Sequence, residues 1–268
     1  MDSLTEETAQ AGSLTRLVNR AKRALSASVQ IQNTPKPAGA HRAARPLRIG
    51  YIQAANETDL QLYRPLAFGY LKAYTEKHLD HPVDIRFLDS LDDIADMDIV
   101  GVSANSQVFA RAMDIARSIK RAKSDIITIL GGHHITYLPQ TLPQDFDIGV
   151  LGEGEQTFLD LVRHVCHHGL RLRTDDLHGI NGIAFRDNGR IVVSQNRALI
   201  ANLDTLPFPF REQGHVPYIH SSRGCPYKCA YCAGSAFWDK TRFFSAEYVV
   251  SEVEHILASF PGRTYIPV

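Results

Sequence analysis

From Leu47 onward, short apolar runs alternate with stretches in which apolar residues recur every three or four positions, the pattern of strands alternating with helices. Five strands are predicted, over residues 47–52, 83–88, 98–103, 126–130 and 147–151. The second alternates polar and apolar residues and suits a sheet edge. By contrast, Ile126-Ile127-Thr128-Ile129-Leu130 is nearly continuous and suits a strand covered on both faces. Tyr63, Leu66, Ala67, Tyr70, Leu71 and Tyr74 form one helical stripe, with Pro65 tolerable in a first turn. Phe109, Ala112, Met113, Ala116 and Ile119 form a second, and a helix from near Glu155 carries Phe158, Leu161, Val162, Val165 and Cys166 on one face. Cys166 therefore reads as a packing residue. Helices long enough to cover both faces of a parallel sheet predict an α/β, doubly wound, Rossmann-like domain.

After a charged connector, Ile183-Ala184-Phe185 and Ile191-Val192-Val193 flank Asp187-Asn188-Gly189, a hairpin signal because Asn-Gly accepts positive φ. The run Leu206-Pro207-Phe208-Pro209-Phe210 excludes a helix and predicts an extended crossing segment. A second unit follows, with a strand over 216–221 and a helix capped by Ser245 that carries Val249, Val250, Val253, Ile256, Leu257 and Phe260 on one stripe. The expected organisation is a tail over 1–46, an α/β domain over 47–198, a linker over 199–214 and a second unit over 215–268. Within the tail, Leu14, Leu17, Val18, Ala21 and Leu25 predict a short amphipathic helix, which is either frayed or packed on the domain, or docks to a partner or membrane surface.

Composition narrows the function classes. Acidic and basic side chains balance to zero net charge, so no nucleic-acid partner is expected. No apolar run is long enough for a transmembrane helix, and the start lacks a signal-peptide core, which implies a cytoplasmic location. Three of the four cysteines crowd into one short segment, a poor disulfide framework and a good metal or cluster framework.

That segment is Ser221-Ser222-Arg223-Gly224-Cys225-Pro226-Tyr227-Lys228-Cys229-Ala230-Tyr231-Cys232. Thiolates at C-x3-C-x2-C spacing can converge on three corners of a 4Fe-4S cubane and leave one iron open to bind a substrate group. The alternative is structural zinc, with His220 or His215 as a fourth ligand. Upstream, the predicted strands end in loops rich in small and polar residues: Ser103-Ala104-Asn105-Ser106, Gly131-Gly132-His133-His134 and Gly152-Glu153-Gly154-Glu155. Ligands bind beyond the carboxyl ends of parallel strands, where glycine permits close approach of backbone.

The cysteine segment resembles the signature loop of the radical S-adenosylmethionine (SAM) superfamily. The order of the upstream loops is similar to the cobalamin-binding domain of B12-dependent radical SAM proteins. The resemblance covers about residues 47–260. It implies that Cys225, Cys229 and Cys232 hold the 4Fe-4S cluster, that the open iron chelates SAM, and that Tyr231 lies against the adenine. It implies a deoxyadenosyl radical on one-electron reduction by an external electron donor. It further implies cobalamin at Ser103, Asn105, Ser106, Gly131, Gly132, His133, Gly152, Glu153 and Gly154, with methyl transfer or radical ring chemistry on a small-molecule or lipid-like substrate. The Asp-x-His-x-x-Gly pattern of a lower axial histidine is absent from the sequence, as in the radical SAM relatives. His134 is the weaker candidate for contact, and Glu153 and Glu155 would stabilise a first helical turn with or without a ligand.

The segment after residue 215 matches only the first β/α unit of a radical SAM barrel, since 36 residues follow Cys232. The expectation is an incomplete barrel, with a second polypeptide as one means of completing it. Two further readings stay open: a non-catalytic cobalamin-binding module, and a zinc-stabilised interaction protein.

Overall fold

The computed structural model describes residues 45–55, 64–238, 240–262 and 266–267. The amphipathic helix expected over 14–25, and Tyr63 of the first stripe, lie outside the described residues. The strands form as the apolar runs require: β1 (Leu47–Gln53), β2 (Val83–Phe87), β3 (Ile99–Ser103), β4 (Ile127–Gly131) and β5 (Ile148–Val150). Their helices are α1 (Leu66–His78), α2 (Phe109–Ala122) and α4 (Gly154–His168), with a single-turn α3 (His133–Tyr137) between β4 and β5 and another, α5 (Thr174–Leu177), after α4. The hairpin is β6 (Ile183–Asp187) and β7 (Arg190–Val193), turned by Asn188 and Gly189, both at positive φ.

These seven strands make one sheet in the order β2-β1-β3-β4-β5-β6-β7. The first five are parallel, and β2 is an edge, as its alternation predicts. The hairpin extends this sheet antiparallel to β5, with Ile148 opposite Phe185, an outcome its local turn signal does not reveal.

Alternation along the strands divides the core in two. Ile49, Tyr51, Ile99, Ile127 and Ile129 pack with Phe68 of α1 and Phe158, Leu161 and Val165 of α4. Ile52, Val100, Val102 and Leu130 face the other way, against Ala112, Ala116 and Ile119 of α2. Each fully buried aliphatic or aromatic side chain in these layers contributes about 1.5–3 kcal/mol. Tyr51 stacks flat on Phe68, centroids 4.7 Å apart, and Cys166 packs on the edge of the first layer.

The extended segment after the hairpin is packed rather than loose. Ile200, Leu203 and Leu206 are buried with Leu66 and Tyr70 of α1 and with Phe244, and the Phe210 N–H donates to Gly69 O at 3.1 Å. Beyond it come β8 (Ser222–Arg223), α6 (Ala233–Phe237), β9 (Arg242–Phe243) and α7 (Ala246–Ser259). Ser245 caps α7 as expected, its side chain accepting from the Tyr248 N–H at 3.0 Å.

Two details differ from expectation. Residues 216–221 are not a strand: the segment's backbone bond to Pro267, from the Ile219 N–H at 3.0 Å, does not make a ladder. Ile256 of α7 and Phe260 just after it are buried, whereas Val250 and Leu257 are about half exposed, because the stripe is wider than the surface it covers. Among the described residues no helix is long and apolar enough to cross a membrane.

Candidate functional site

A cavity of about 570 Å³ opens at the carboxyl edge of β1, β3, β4 and β5, within the usual range of small-molecule sites. The strand-end residues Ser103, Asn105, Gly131, Gly132 and His133 line it, and so do Gly152, Glu153 and Gly154 of the turn into α4. Tyr51 and Phe158 supply apolar wall.

Backbone geometry forces the glycines. Gly132 sits at φ +96°, and a Cβ there would lie 2.6 Å from Ala104 O and 3.0 Å from Ser103 Oγ. Gly131 differs: nothing lies within 4 Å of the position its Cβ would take, so its bare backbone faces open space. The Thr136 hydroxyl links the two loops, donating to Gly132 O at 2.9 Å and accepting from the Gly152 N–H at 3.1 Å.

The adjacent histidines part company because α3 begins at His133. His133 lines the cavity. His134 is buried, with Nδ1 3.0 Å from Ser106 Oγ and Nε2 3.1 Å from Thr141 Oγ1. Burial lowers its pKa. Ser106 is thereby occupied with His134 and is not among the cavity's lining residues. Asn105 lines the cavity while its Oδ1 accepts from the Gln107 and Val108 N–H groups at 2.9 and 3.2 Å, so it also caps the next turn.

The opposite wall comes from around the cysteine segment: His220, Ser222, Arg223, Gly224, Phe237 and Trp238. Gly224, at φ +101°, makes the sharp turn into the cysteines, where a Cβ would strike Lys240 O at 2.8 Å. Cys225, Cys229 and Cys232 are exposed, and Tyr231 is 92% exposed. The Cys232 N–H donates to Cys229 O at 3.0 Å. Tyr137 of α3 reaches across, its hydroxyl donating to Ala233 O and its ring meeting Phe237 edge-on. Burial, then the nearby Cys232, raises the Tyr137 pKa.

Three thiols from one exposed eight-residue loop are the right donor chemistry for three corners of a cubane. Among the described residues no three His, Cys, Asp or Glu side chains stand together as a ready metal site, so the three cysteines would have to draw together to hold a metal. The same holds for a thiolate set completed by His215 or His220; His215 Nδ1 is instead 3.7 Å from Glu212. For a corrinoid, glycine-bare strand ends and the Tyr51 and Phe158 wall suit the face and edge of a flat macrocycle.

Arg223, Arg242, Phe237, Trp238, Thr136 and Tyr137 were not expected at the site. Arg223 has a local signal, since it stands two residues before Cys225 in a motif loop. Arg242 has none. Both bind Glu153: its Oε1 accepts from Arg223 at 2.9 Å and Arg242 at 2.8 Å, while Oε2 accepts from the Ile200 N–H at 2.7 Å. Burial would raise the Glu153 pKa, but the hydrogen bonds from Arg242 and Arg223 outweigh it and hold the carboxyl below its ordinary value. The two guanidiniums also lie over aromatic rings, Arg223 at 4.9 Å from the Tyr70 centroid and Arg242 at 5.1 Å from that of Trp238.

Residues 56–162 match the B12 binding domain family. The chain is 31% identical over 173 residues to an uncharacterised methyltransferase of Pyrococcus horikoshii, covering 59% of this chain and 36% of that protein. It is 31% identical over 174 residues to the anaerobic magnesium-protoporphyrin IX monomethyl ester cyclase of Rubrivivax gelatinosus, covering 59% and 30%. Identity to the cobalamin-dependent radical SAM methyltransferase TokK of Streptomyces tokunonensis is 26%, over 61% of this chain and 26% of that one. The chain thus spans between about a quarter and just over a third of the length of these curated relatives. In fold it is similar to the radical SAM methyltransferase TsrM of Kitasatospora setae, solved with cobalamin and a 4Fe-4S cluster bound. The TM-score is 0.62 at 17% identity, over 80% of this chain and 46% of that one.

Proposed function

The chain is a relative of the cobalamin-dependent radical SAM methyltransferases and cyclases, and from that premise we propose that it holds a corrinoid in the carboxyl-edge cavity and a 4Fe-4S cluster on Cys225, Cys229 and Cys232. The observation that carries this reading is the shared cavity: strand-end glycines line one wall, and Ser222, Arg223 and Gly224, which lead into the cysteines, line another.

Gly131, Gly132 and Gly152 would hold the corrinoid together with Ser103, Asn105, His133, Glu153 and Gly154, all of which line the same cavity. Ser106 supports this wall through His134. Tyr231, beside the last cysteine and exposed, would be the contact for SAM. When bound, the cluster supplies one electron to SAM and the corrinoid supplies a transferable methyl group or a second redox centre. The residues of this chain bind and orient the cofactors, with the aromatic wall of Tyr51, Phe158, Phe237 and Trp238 excluding water. The reaction class is methyl transfer or radical ring formation on a small molecule, with electrons from an external donor. The domain division that goes with it is an α/β cofactor domain over 47–198, a packed connector over 199–214 and the cluster-bearing unit from 215.

The test is anaerobic reconstitution with iron and sulfide, followed by hydroxocobalamin, SAM and a reductant. Release of 5'-deoxyadenosine or methylated corrinoid supports the reading. Corrinoid binding without SAM cleavage reduces the chain to a cobalamin-binding module. Tight zinc binding with neither cofactor bound overturns the reading.

A further inference from the structure

β8 and β9 pair over two residues, and the register sets Arg223 directly opposite Arg242. Like charges in facing positions repel, and these side chains are only 12% and 4% exposed. The pairing stands because Glu153 lies between them. One of its carboxylate oxygens accepts from both arginines, and the other accepts from Arg242 at 3.0 Å. Glu155 accepts from the remaining arm of Arg223 at 2.6 Å, so two carboxylates balance two guanidiniums.

The topology gives this cluster its meaning. All three cysteines and α6 lie on the excursion between Arg223 and Arg242, so the two arginines are the two ends of the cysteine loop. Glu153 holds both ends at once. It does so from the turn whose Gly152 and Gly154 line the cavity. A ligand that orders this turn therefore orders the base of the loop, and by linkage a filled loop favours the filled cavity.

We propose that Glu153 is a positioning residue: it closes the base of the cysteine loop and couples retention of metal on Cys225, Cys229 and Cys232 to occupancy of the carboxyl-edge cavity. This rests on the cofactor reading above.

The test uses the full chain and its single tryptophan, Trp238, which lies under Arg242. Glu153→Gln keeps the shape of the side chain and removes its charge. Glu155→Gln is the control, because it leaves Glu153 and Arg242 paired. In the cofactor-free protein, Glu153→Gln makes Trp238 more accessible to acrylamide and Glu155→Gln does so less. In reconstituted protein, Glu153→Gln releases iron to a ferrous chelator at least about tenfold faster than wild type, because two buried guanidiniums at the base of the loop lose the carboxylate they share. With hydroxocobalamin bound to saturation in every variant, as checked by absorbance, it slows iron release in wild type and in Glu155→Gln and has no effect on it in Glu153→Gln.

The proposal is overturned by wild-type iron release in Glu153→Gln, or by equal loss of the corrinoid effect in both variants. Should Glu153→Gln fail to fold, Arg223→Lys, whose single nitrogen cannot span Glu153 and Glu155 as the two guanidinium nitrogens do, must give the same two effects. If wild type takes up no iron, the cofactor reading fails. Trp238 quenching then still decides whether Glu153 holds the loop, and unchanged quenching sinks that too.

Discussion

His134 lies flat against Phe109, ring centroids 3.6 Å apart and planes 19° from parallel. Its neighbour His133 lines the cavity instead. Substituting the two histidines therefore separates binding from stability. His133→Ala weakens hydroxocobalamin binding by about fivefold, on the order of 1 kcal/mol, and leaves thermal unfolding unchanged. His134→Ala removes a buried ring with two hydrogen bonds and costs about 2–4 kcal/mol. Melting curves and absorbance titrations of both variants check this, and a stable His134→Ala would refute it.

The two adjacent glycines make a second contrast. Gly132→Ala meets Ala104 O and needs φ +96°, so it destabilises by about 1–3 kcal/mol. Gly131→Ala meets nothing within 4 Å and projects its methyl into open space at the cavity. Its melting temperature stays at the wild-type value while corrinoid affinity falls. If Gly131→Ala binds corrinoid as tightly as wild type, the ligand does not approach that strand end.

Much of this was legible in the sequence. The β1–β5 boundaries fall within two residues of the apolar runs, because a strand covered on both faces has few alternatives. The hairpin turn was readable from Asp187-Asn188-Gly189, but its place beside β5 was not, since that depends on Ile148 meeting Phe185 far along the chain. Cysteine spacing marked the loop. The contacts that fasten it, Arg223 and Arg242 to Glu153, join residues 70 and 89 positions apart and leave no periodic trace. Likewise His133 and His134 are alike in type, and only the start of α3 decides which one meets the cavity.

Acid should weaken the fold through buried histidines. Burial lowers the pKa of His134 and of His164, the latter also through His168. The unfolded chain then takes up protons near the ordinary value of 6.5 while the folded chain does so only at lower pH. Stability is complete above that value and declines as pH falls through the window between it and the folded pKa values. The melting temperature drops between about pH 7.5 and about pH 5.5, and His164→Leu, which removes a buried Nε2 without a hydrogen-bond partner, reduces the drop. An unchanged pH profile in that variant would contradict the assignment.

Arg211 and Glu252 form a pair whose side chains are 7% and 0% exposed, 2.5 Å apart. Burial raises the Glu252 pKa even with Arg211 beside it. Arg211→Met strands that carboxyl and also removes donors to Tyr218 O, costing about 3–5 kcal/mol in urea unfolding. Changing Glu252→Met as well recovers a large part of the loss, and a double variant no more stable than the single one would disprove the account.

The central claim, that one chain carries a cluster on its cysteine loop beside a corrinoid in its cavity, is tested most directly by metal analysis. Protein reconstituted anaerobically with iron, sulfide and hydroxocobalamin, then freed of unbound cofactor, should hold about four irons and one cobalt per chain. Replacing Cys225, Cys229 and Cys232 by Ala should remove the iron and leave cobalt bound, with weakened affinity. Stoichiometric zinc in place of iron, or iron that survives the triple substitution, would contradict it.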